Sequence, residues 1–255
     1  MWDRTILKSN AKTALQGHFW TAYAACAVVA LITGAFNLTS QYTERRIHPF
    51  TADFFTVAQS YNFWEWWRIP DCLTIIFIGL PLAVGLARFF VRNRFGSTDF
   101  SNVFSGFRDN YTGTLASMFV TCLFIGLWLL LLVIPGIIKA LEYSMVPYIL
   151  SDNPSMPGSR AREISSMMTN GEKGAIFVLG LSFIGWFLVA VIAVATLNWF
   201  LWPISGFVSI ACGTAVSTYA SATFAELYIF MRDRAIQSGY AQPAEFGLVP
   251  PTEQA

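Results

Sequence analysis

The sequence predicts an all-α membrane protein: six transmembrane helices as three helical hairpins, each preceded by a short interfacial amphipathic helix. Three observations lead to this fold class. Of the 255 residues, 55% are hydrophobic and 12% are charged, whereas a soluble domain carries roughly 25% charged residues. Five apolar runs are long enough to cross a bilayer. A sixth, shorter run follows a Pro-Gly pair of the kind that breaks helices.

The six spans follow from these runs, because a helix needs roughly 20 apolar residues to cross about 30 Å of hydrocarbon. The run 137–150 is shorter, since about 1.5 Å per residue gives it only about 21 Å, and whether it crosses fully stays open. The first run exceeds the roughly 7–15 apolar residues of a cleaved signal, so we expect it to stay in the membrane. The predicted spans are 19–38, 72–91, 115–134, 137–150, 175–197 and 207–231.

The basic residues predict that the chain turns back at Pro135 and Gly136, the tip of the middle hairpin. Basic residues favour the cytoplasmic side of a membrane. A single crossing between 115 and 150 would place the basic residues that follow it outside, whereas a hairpin places them all inside. These residues are Arg160, Arg162, Lys173, Arg232 and Arg234. Both termini are then cytoplasmic.

We expect a single membrane domain over residues 1–235, an outer segment at 39–70 and a flexible cytoplasmic tail at 236–255. The outer segment carries a tryptophan cluster directly before a span, which is typical of aromatic residues at the membrane–water interface. The alternative interpretation is a surface that binds a partner or a glycan. The cluster consists of Trp64, Trp66 and Trp67.

A short amphipathic stretch precedes each predicted hairpin. In the first stretch, Leu7, Ala11 and Leu15 have helical spacing, and similar patterns occur at 100–107 and 161–168. Short helices of this kind lie in the membrane interface. The expected N-caps are Asp3, Asp99 and Ser159.

Four charged residues within or near the spans form a candidate intramembrane charge cluster: Arg88, Lys139, Glu142 and Glu226. A charged side chain in the membrane is costly unless it is paired or hydrated. Lys139 and Glu142 have a spacing at which opposite charges pair on one helix. Arg88 and Glu226 lie at similar depths, which predicts a contact between their helices. The alternative is that each side chain reaches separately to the nearby interface.

The last span carries a small residue at every fourth position: Ser209, Gly213, Ser217 and Ser221. Such a stripe allows two helices to approach closely. It is a candidate for packing within the molecule or, alternatively, for a homodimer interface.

The sequence carries no motif of a zinc protease, a serine hydrolase or a nucleotide-binding loop. The two histidines, His18 and His48, fall on opposite sides of the predicted membrane and cannot share a metal ion. No two cysteines form a CxxC motif, and we interpret them as small apolar residues. We therefore expect no catalytic, cofactor-binding or metal site. A net charge of +1 does not favour binding of nucleic acid.

Three stretches carry a family resemblance: MWDRTILKSNAKTAL at the N-terminus, IPGIIKALEYSMVPYILSDNP in the middle, and LSFIGWFL at Leu181–Leu188. On these residues, the chain from Met1 to about Arg234 resembles an uncharacterised bacterial integral membrane family. That family is domain of unknown function number nine-seven-five. The resemblance implies a multi-pass plasma-membrane protein and implies no reaction. The long outer segment 39–70 departs from a typical member.

These observations predict a non-catalytic protein of the bacterial plasma membrane that organises or accompanies a membrane partner. The expected partners are the lipid bilayer and either another membrane protein or a second copy of the chain. The alternative is a component of a small-molecule or lipid transporter or exporter that uses the intramembrane charges. An intramembrane enzyme is a third class, for which the sequence offers no evident nucleophile or metal.

Overall fold

The computed structural model describes residues 2–47, 69–201 and 205–248, and within these ranges every regular element is helical. A π-helical turn at Ile75–Gly79 and two 3₁₀ turns, at Phe100–Phe104 and Pro243–Phe246, accompany the α-helices. Residues 48–68 of the predicted outer segment, with the tryptophan cluster, lie outside the described residues. The α-helices are α1 (Arg4–Leu15), α2 (Phe19–Ile47), α3 (Ile69–Thr74), α4 (Leu80–Asn93), α5 (Ser105–Arg108), α6 (Tyr111–Leu131), α7 (Val133–Glu142), α8 (Val146–Asp152), α9 (Gly158–Thr169), α10 (Lys173–Leu201) and α11 (Ser205–Gln237).

Helix α1 is amphipathic, as its sequence pattern predicts. Leu7, Ala11 and Leu15 are buried. The Asp3 carboxylate accepts a hydrogen bond of 2.9 Å from a backbone N–H in the first turn, so the predicted N-cap is confirmed. Gly17 then adopts a positive φ of 83°, a conformation that ends helices and favours glycine. Helix α1 and the first part of α2 are bent by 96° relative to each other.

After α4 the chain folds back along that helix, and two glycines make the close contact possible. A Cβ added at Gly85 would lie 1.8 Å from the carbonyl oxygen of Val103, and one at Gly106 would lie 2.2 Å from that of Pro81. A side chain at either position would collide with the neighbouring backbone. The predicted amphipathic stretch at 100–107 is therefore a 3₁₀ turn and one short α-helix that lie directly on α4.

The other two predicted N-caps differ in outcome. Asp99 is confirmed as a cap, because its carboxylate accepts a hydrogen bond of 2.9 Å from the backbone N–H of Ser101. The prediction for Ser159 is wrong, since α9 begins one residue earlier, at Gly158. Pro157 occupies the cap position with a φ of −59°, and its rigid ring suits the residue directly before a helix.

Helices α6 and α7 are separated by a single residue, Leu132, whose backbone is extended (φ −157°, ψ 134°). The chain reverses there, because a Cβ added at Gly136 would lie 2.6 Å from the Cα of Leu129. In one continuous helix, these two residues would be about 10 Å apart. Pro135 and Gly136 lie in the first turn of α7, so the break precedes the Pro-Gly pair.

Helices α10 and α11 run antiparallel to each other. Glu172, directly before α10, pairs with Arg234 near the end of α11. Phe183, further along α10, contacts Tyr219, which comes earlier in α11, with ring centroids 5.6 Å apart. The buried core lies between the first part of α10, the second part of α11 and helices α1, α4, α8 and α9.

By length and composition, four segments in the described part of the chain are able to cross a membrane. The bent pair Arg4–Leu15 and Phe19–Thr33 adds a fifth if it counts as one span. The all-helical class and the helices apolar enough for a membrane thus agree with the sequence analysis. The four segments are Cys72–Asn93, Tyr111–Leu131, Val133–Asp152 and Lys173–Ile192.

The expectation of a flexible tail at 236–255 does not hold for its first part. Helix α11 continues to Gln237, and Phe246 in the final 3₁₀ turn is buried. Asn153 Nδ2 donates a hydrogen bond of 3.0 Å to the carbonyl oxygen of Glu245. A single anchoring aromatic residue in a polar stretch produces no periodic pattern, so this contact has no sequence signal. Residues 249–255 lie outside the described residues.

Candidate functional site

The Glu142 carboxylate, at the end of α7, is the point where polar groups from three helices meet. Its Oε1 accepts hydrogen bonds of 2.9 Å from Lys139 Nζ and from Ser166 Oγ. Its Oε2 accepts one of 2.7 Å from Lys173 Nζ. Glu142 is only 7% exposed. Both carboxylate oxygens are therefore occupied, and their partners connect α7 to α9 and to α10.

The backbone of Glu142 is also held, because the break after α7 frees its carbonyl group. The N–H of Val146, which would reach this carbonyl in a continuous helix, donates to Tyr143 at 3.1 Å instead. The next residue, Pro147, has no N–H and prevents the helix from continuing in register. Ser165 Oγ replaces the missing donor with a hydrogen bond of 2.6 Å to the Glu142 carbonyl oxygen.

A second buried cluster surrounds Asp152 at the end of α8. Its Oδ2 accepts hydrogen bonds from the Tyr228 hydroxyl at 2.7 Å and from Arg232 Nη1 at 3.0 Å. Tyr228 is fully buried and stacks on Tyr148, with ring centroids 5.3 Å apart. This cluster was not predicted, because Asp152 and Arg232 lie 80 residues apart and share no sequence pattern.

The contact predicted between Arg88 and Glu226 is not formed. Arg88 pairs with Asp109, whereas Glu226 Oε1 forms an ion pair of 2.6 Å with Arg94 Nε. The return of the chain along α4 carries Asp109 to Arg88. Of the four residues in the predicted charge cluster, only Lys139 and Glu142 contact each other, at the spacing that predicts their pairing. Gly85 and Gly106, which allow the chain to lie against α4, were the sequence signal for the contact between Arg88 and Asp109.

The predicted small-residue stripe differs from the buried face of α11. A Cβ added at Gly213 would meet no described atom within 4 Å. Ser217 and Ser221 are only half-buried. Ser209 lies where side chains are not described, and the homodimer interface stays a prediction. The fully buried face lies one position further along the helix, at Thr214, Thr218 and Ala222.

A cavity of about 380 Å³ lies between α9 and the end of α11. Met167, Met231 and Tyr240 line part of its wall. The two charged residues in the wall, Glu172 and Arg234, pair with each other. The Trp2 indole also donates a hydrogen bond to Glu172. The cavity wall therefore combines apolar side chains with charges that are already neutralised.

The docked C-terminal segment is held at α9 by a partly exposed ion pair. Arg160 Nε donates a hydrogen bond of 2.8 Å to Glu245 Oε1, and Arg160 also lies 2.9 Å from Glu163. The hydrogen bond from Arg160 lowers the pKa of the Glu245 carboxyl below its ordinary value. The same bond, with that to Glu163, raises the pKa of Arg160.

These contacts determine what the clusters can do chemically. In the part of the chain that the structure describes, no three His, Cys, Asp or Glu side chains are placed to hold a metal ion. A carboxylate whose oxygens are bonded to two ammonium groups and a hydroxyl stabilises a contact between helices. It is poorly placed to accept a proton or to bind a ligand. We call Glu142 a clamp because its bonds to Lys139, Ser166 and Lys173 hold three helices together.

Comparison with known protein families gives a match in the second part of the chain. The family described as Protein of unknown function (DUF975) matches residues 111–232, a little under half of the 255 residues. The match contains the Glu142 and Asp152 clusters and two of the three quoted stretches; the N-terminal stretch lies outside it. No curated protein and no solved structure matches the chain.

Proposed function

Because residues 111–232 belong to a family whose description assigns no activity, we propose a function from the contacts themselves. The protein is a non-catalytic, multi-pass protein of the bacterial plasma membrane that organises or accompanies a membrane partner. Its helices enter the bilayer as three pairs, six in all, and both termini are cytoplasmic.

The charged residues near the ends of the helices support this orientation. Three of the five that the sequence analysis placed on the cytoplasmic side pair with acidic residues near other helix ends. Arg232 bonds to Asp152, and Arg234 bonds to Glu172. Lys173, the next residue after Glu172, bonds to Glu142. Cations at neighbouring helix ends favour one side of the membrane, which is the cytoplasmic side by the positive-inside rule.

The observation that carries the non-catalytic proposal is the saturated carboxylate of Glu142. A carboxylate that binds and releases a substrate or a proton must exchange partners during the cycle. Glu142 instead holds Lys139, Lys173 and Ser166 at 2.7–2.9 Å, and these residues come from three helices. Such a group fixes the helices relative to one another and leaves the outer surfaces to act on a partner.

The test is purification of the full-length tagged chain from native membranes in lipid discs, followed by mass spectrometry of everything that is retained. We expect a membrane protein at fixed stoichiometry that survives washing. An unrelated tagged membrane protein, extracted in the same way, controls for non-specific capture. Recovery of the chain alone, with a defined small molecule bound, would contradict the proposal and favour transport.

One observation favours the second candidate, a transporter or exporter component. Among the described residues, Glu226 Oε1 is buried 2.6 Å from Arg94 Nε without an aligned hydrogen bond, and Arg88 Nε is buried and unbonded. Unlike Glu142, Glu226 has a single cation partner, which a small polar molecule or a lipid headgroup would replace on binding. For a transporter, Glu226→Gln would abolish binding or flux of that molecule while the protein stays folded. The matched control is Glu163→Gln, because the Glu163 side chain is 59% exposed.

A further inference from the structure

Charged side chains lie beside both helices of the α6–α7 pair, at the end away from Leu132, which we call the base of the pair. On α7 they are Lys139 and Glu142. On α6, Arg162 from the neighbouring helix α9 lies 3.5 Å from Thr121 Oγ1 and over the ring of Phe124, with 5.4 Å to the ring centroid. Cations of this kind prefer headgroups or water to hydrocarbon. Lys173, which bonds to Glu142, is also the first residue of α10. This places the base of the pair at the level where α10 enters the membrane.

Beyond this base the pair is entirely apolar. Residues 125–138 contain no charged residue and no hydroxyl or amide side chain. Their side chains are also uncovered within the described residues: Leu130 is 87% exposed, Leu131 is 67% exposed and Ile134 is 74% exposed. A large exposed apolar tip of this kind requires hydrocarbon around it, and an outer aqueous loop would not provide it.

The length of the pair limits how deep its tip reaches. Helix α7 has 10 residues between Leu132 and the end of Glu142, which at about 1.5 Å each span about 15 Å. The hydrocarbon core is about 30 Å thick. Helix α10 starts at Lys173, which bonds to the same carboxylate, and has 29 residues, or about 43 Å. The segment Val133–Asp152 as a whole is long enough to cross. Measured from the level of Lys173, however, only α7 lies on the membrane side, so α10 is long enough to cross and α7 reaches about halfway.

The backbone at the tip is suited to a place without water. Leu132 N–H donates to the carbonyl oxygen of Trp128 at 2.9 Å, and Gly136 N–H donates to that of Leu132 at 3.1 Å. Pro135 removes one N–H from the first turn of α7, where helices leave donors unpaired. Fewer unpaired donors lower the cost of placing this turn in hydrocarbon.

We infer that α6 and α7 form a wedge that enters the cytoplasmic leaflet of the bilayer and ends within the hydrocarbon without reaching the outer surface. The partner of its exposed surface is the acyl chains of that leaflet, with Lys139, Arg162 and Lys173 at the level of the phosphate groups. The chain returns to the cytoplasm either way, so the sidedness of the other helices is unchanged. The inference requires membrane insertion and does not require the proposed partner.

The test is the depth of single cysteines in a variant without Cys26, Cys72, Cys122 and Cys212. Ile134→Cys reports the tip, and Leu131→Cys is a second tip position in case the first variant does not fold. Intact cells are treated with a membrane-impermeant maleimide. The purified variants are then labelled with a fluorophore and reconstituted with phospholipids brominated either near the headgroup or near the end of the acyl chain.

The wedge predicts that a cysteine at the tip is not labelled by maleimide added outside intact cells. It also predicts that bromine at the end of the acyl chain quenches the tip fluorophore more strongly than bromine near the headgroup. Ser205→Cys, at the start of α11, is the control for labelling from outside, and Ser238→Cys, after α11, is the control for labelling only in opened cells. Labelling of the tip from outside, or stronger quenching near the headgroup, would overturn the wedge. Either result would leave the co-purification experiment unaffected.

Discussion

Helices α7 and α10 share one ion pair at their proposed cytoplasmic ends but differ in length. Glu142 ends α7 and Lys173 begins α10, with 2.7 Å between Oε2 and Nζ. Apart from Lys139, which pairs with the same carboxylate, α7 carries no charge beyond this pair, and neither does α10, yet α7 has 10 residues and α10 has 29. The inferred wedge implies that apolar composition alone does not decide whether a helix crosses a bilayer. The length between its nearest fixed charges and its tip is what limits it.

Breaking the shared ion pair should have the largest effect. Glu142→Gln leaves Lys139 and Lys173 without their common counter-charge, which costs roughly 3–5 kcal/mol at a buried site. Because the two lysines are 28% and 29% exposed, we expect the lower end of that range. The measurement is loss of folded protein on heating in detergent. Glu163→Gln, at an exposed pair, should cost less than about 1 kcal/mol. Equal losses would show that Glu142 is not a clamp.

A charge introduced at the tip of the wedge should have the second largest effect. Leu132→Lys should reduce membrane integration by about 2.5–3.5 kcal/mol if the tip lies in hydrocarbon. The measurement is the fraction of protein that resists alkaline extraction from membranes. Ser205→Lys, at the connection between α10 and α11, is the matched control and should change integration by less than about 0.5 kcal/mol. If Leu132→Lys behaved like the control, the tip would be at the aqueous surface.

The tight reversal of the chain should be the next most sensitive feature. In Gly136→Ala the new Cβ would lie 2.5 Å from the Leu129 side chain, so we expect a loss of about 1–3 kcal/mol from overpacking. Gly126→Ala in α6 and Gly180→Ala in α10 are controls, because no described atom lies within 4 Å of the added Cβ at either position. They should be neutral or stabilising by about 0.5–1 kcal/mol. Thermal unfolding of the three variants, measured side by side, separates the effect of the close contact at Gly136 from the effect of alanine on helix propensity.

The smallest effect concerns the docked C-terminal segment and its pH dependence. The pKa of Glu245 is lowered in the folded chain from an ordinary value of 4.5. Its pair with Arg160 therefore stabilises docking fully above that value, and the contribution is lost as the pH falls below it. We expect less than about 1 kcal/mol, since both side chains are partly exposed.

Hydrogen exchange of residues 243–248 between pH 3 and pH 6 measures this undocking. Arg160→Gln should lower the protection at pH 6 and remove most of its pH dependence. If the protection factors of residues 243–248 in the wild type did not change between pH 3 and pH 6, the role of the ion pair in docking would be contradicted.

Much of the fold was predictable because it depends on short stretches of sequence. The apolar runs, the N-caps at Asp3 and Asp99 and the pairing of Lys139 with Glu142 all follow from residues a few positions apart. The position of the chain reversal was predicted less well. A Pro-Gly pair marks a helix break, yet proline is also favoured in the first turn of a helix. Local rules therefore placed Pro135 at the tip, whereas the structure places it in the first turn of α7.

The amino-acid sequence was sufficient to predict helices apolar enough for a membrane and charges that need partners, because composition and helical spacing are local properties. The identity of those partners depends on the packing of the helices. Asp109 reaches Arg88 through the return along α4, Lys173 reaches Glu142 across two helices, and Arg232 reaches Asp152 over 80 residues. The physical reason is that the cost of a buried charge requires some counter-charge, while its identity depends on which distant backbones pack together.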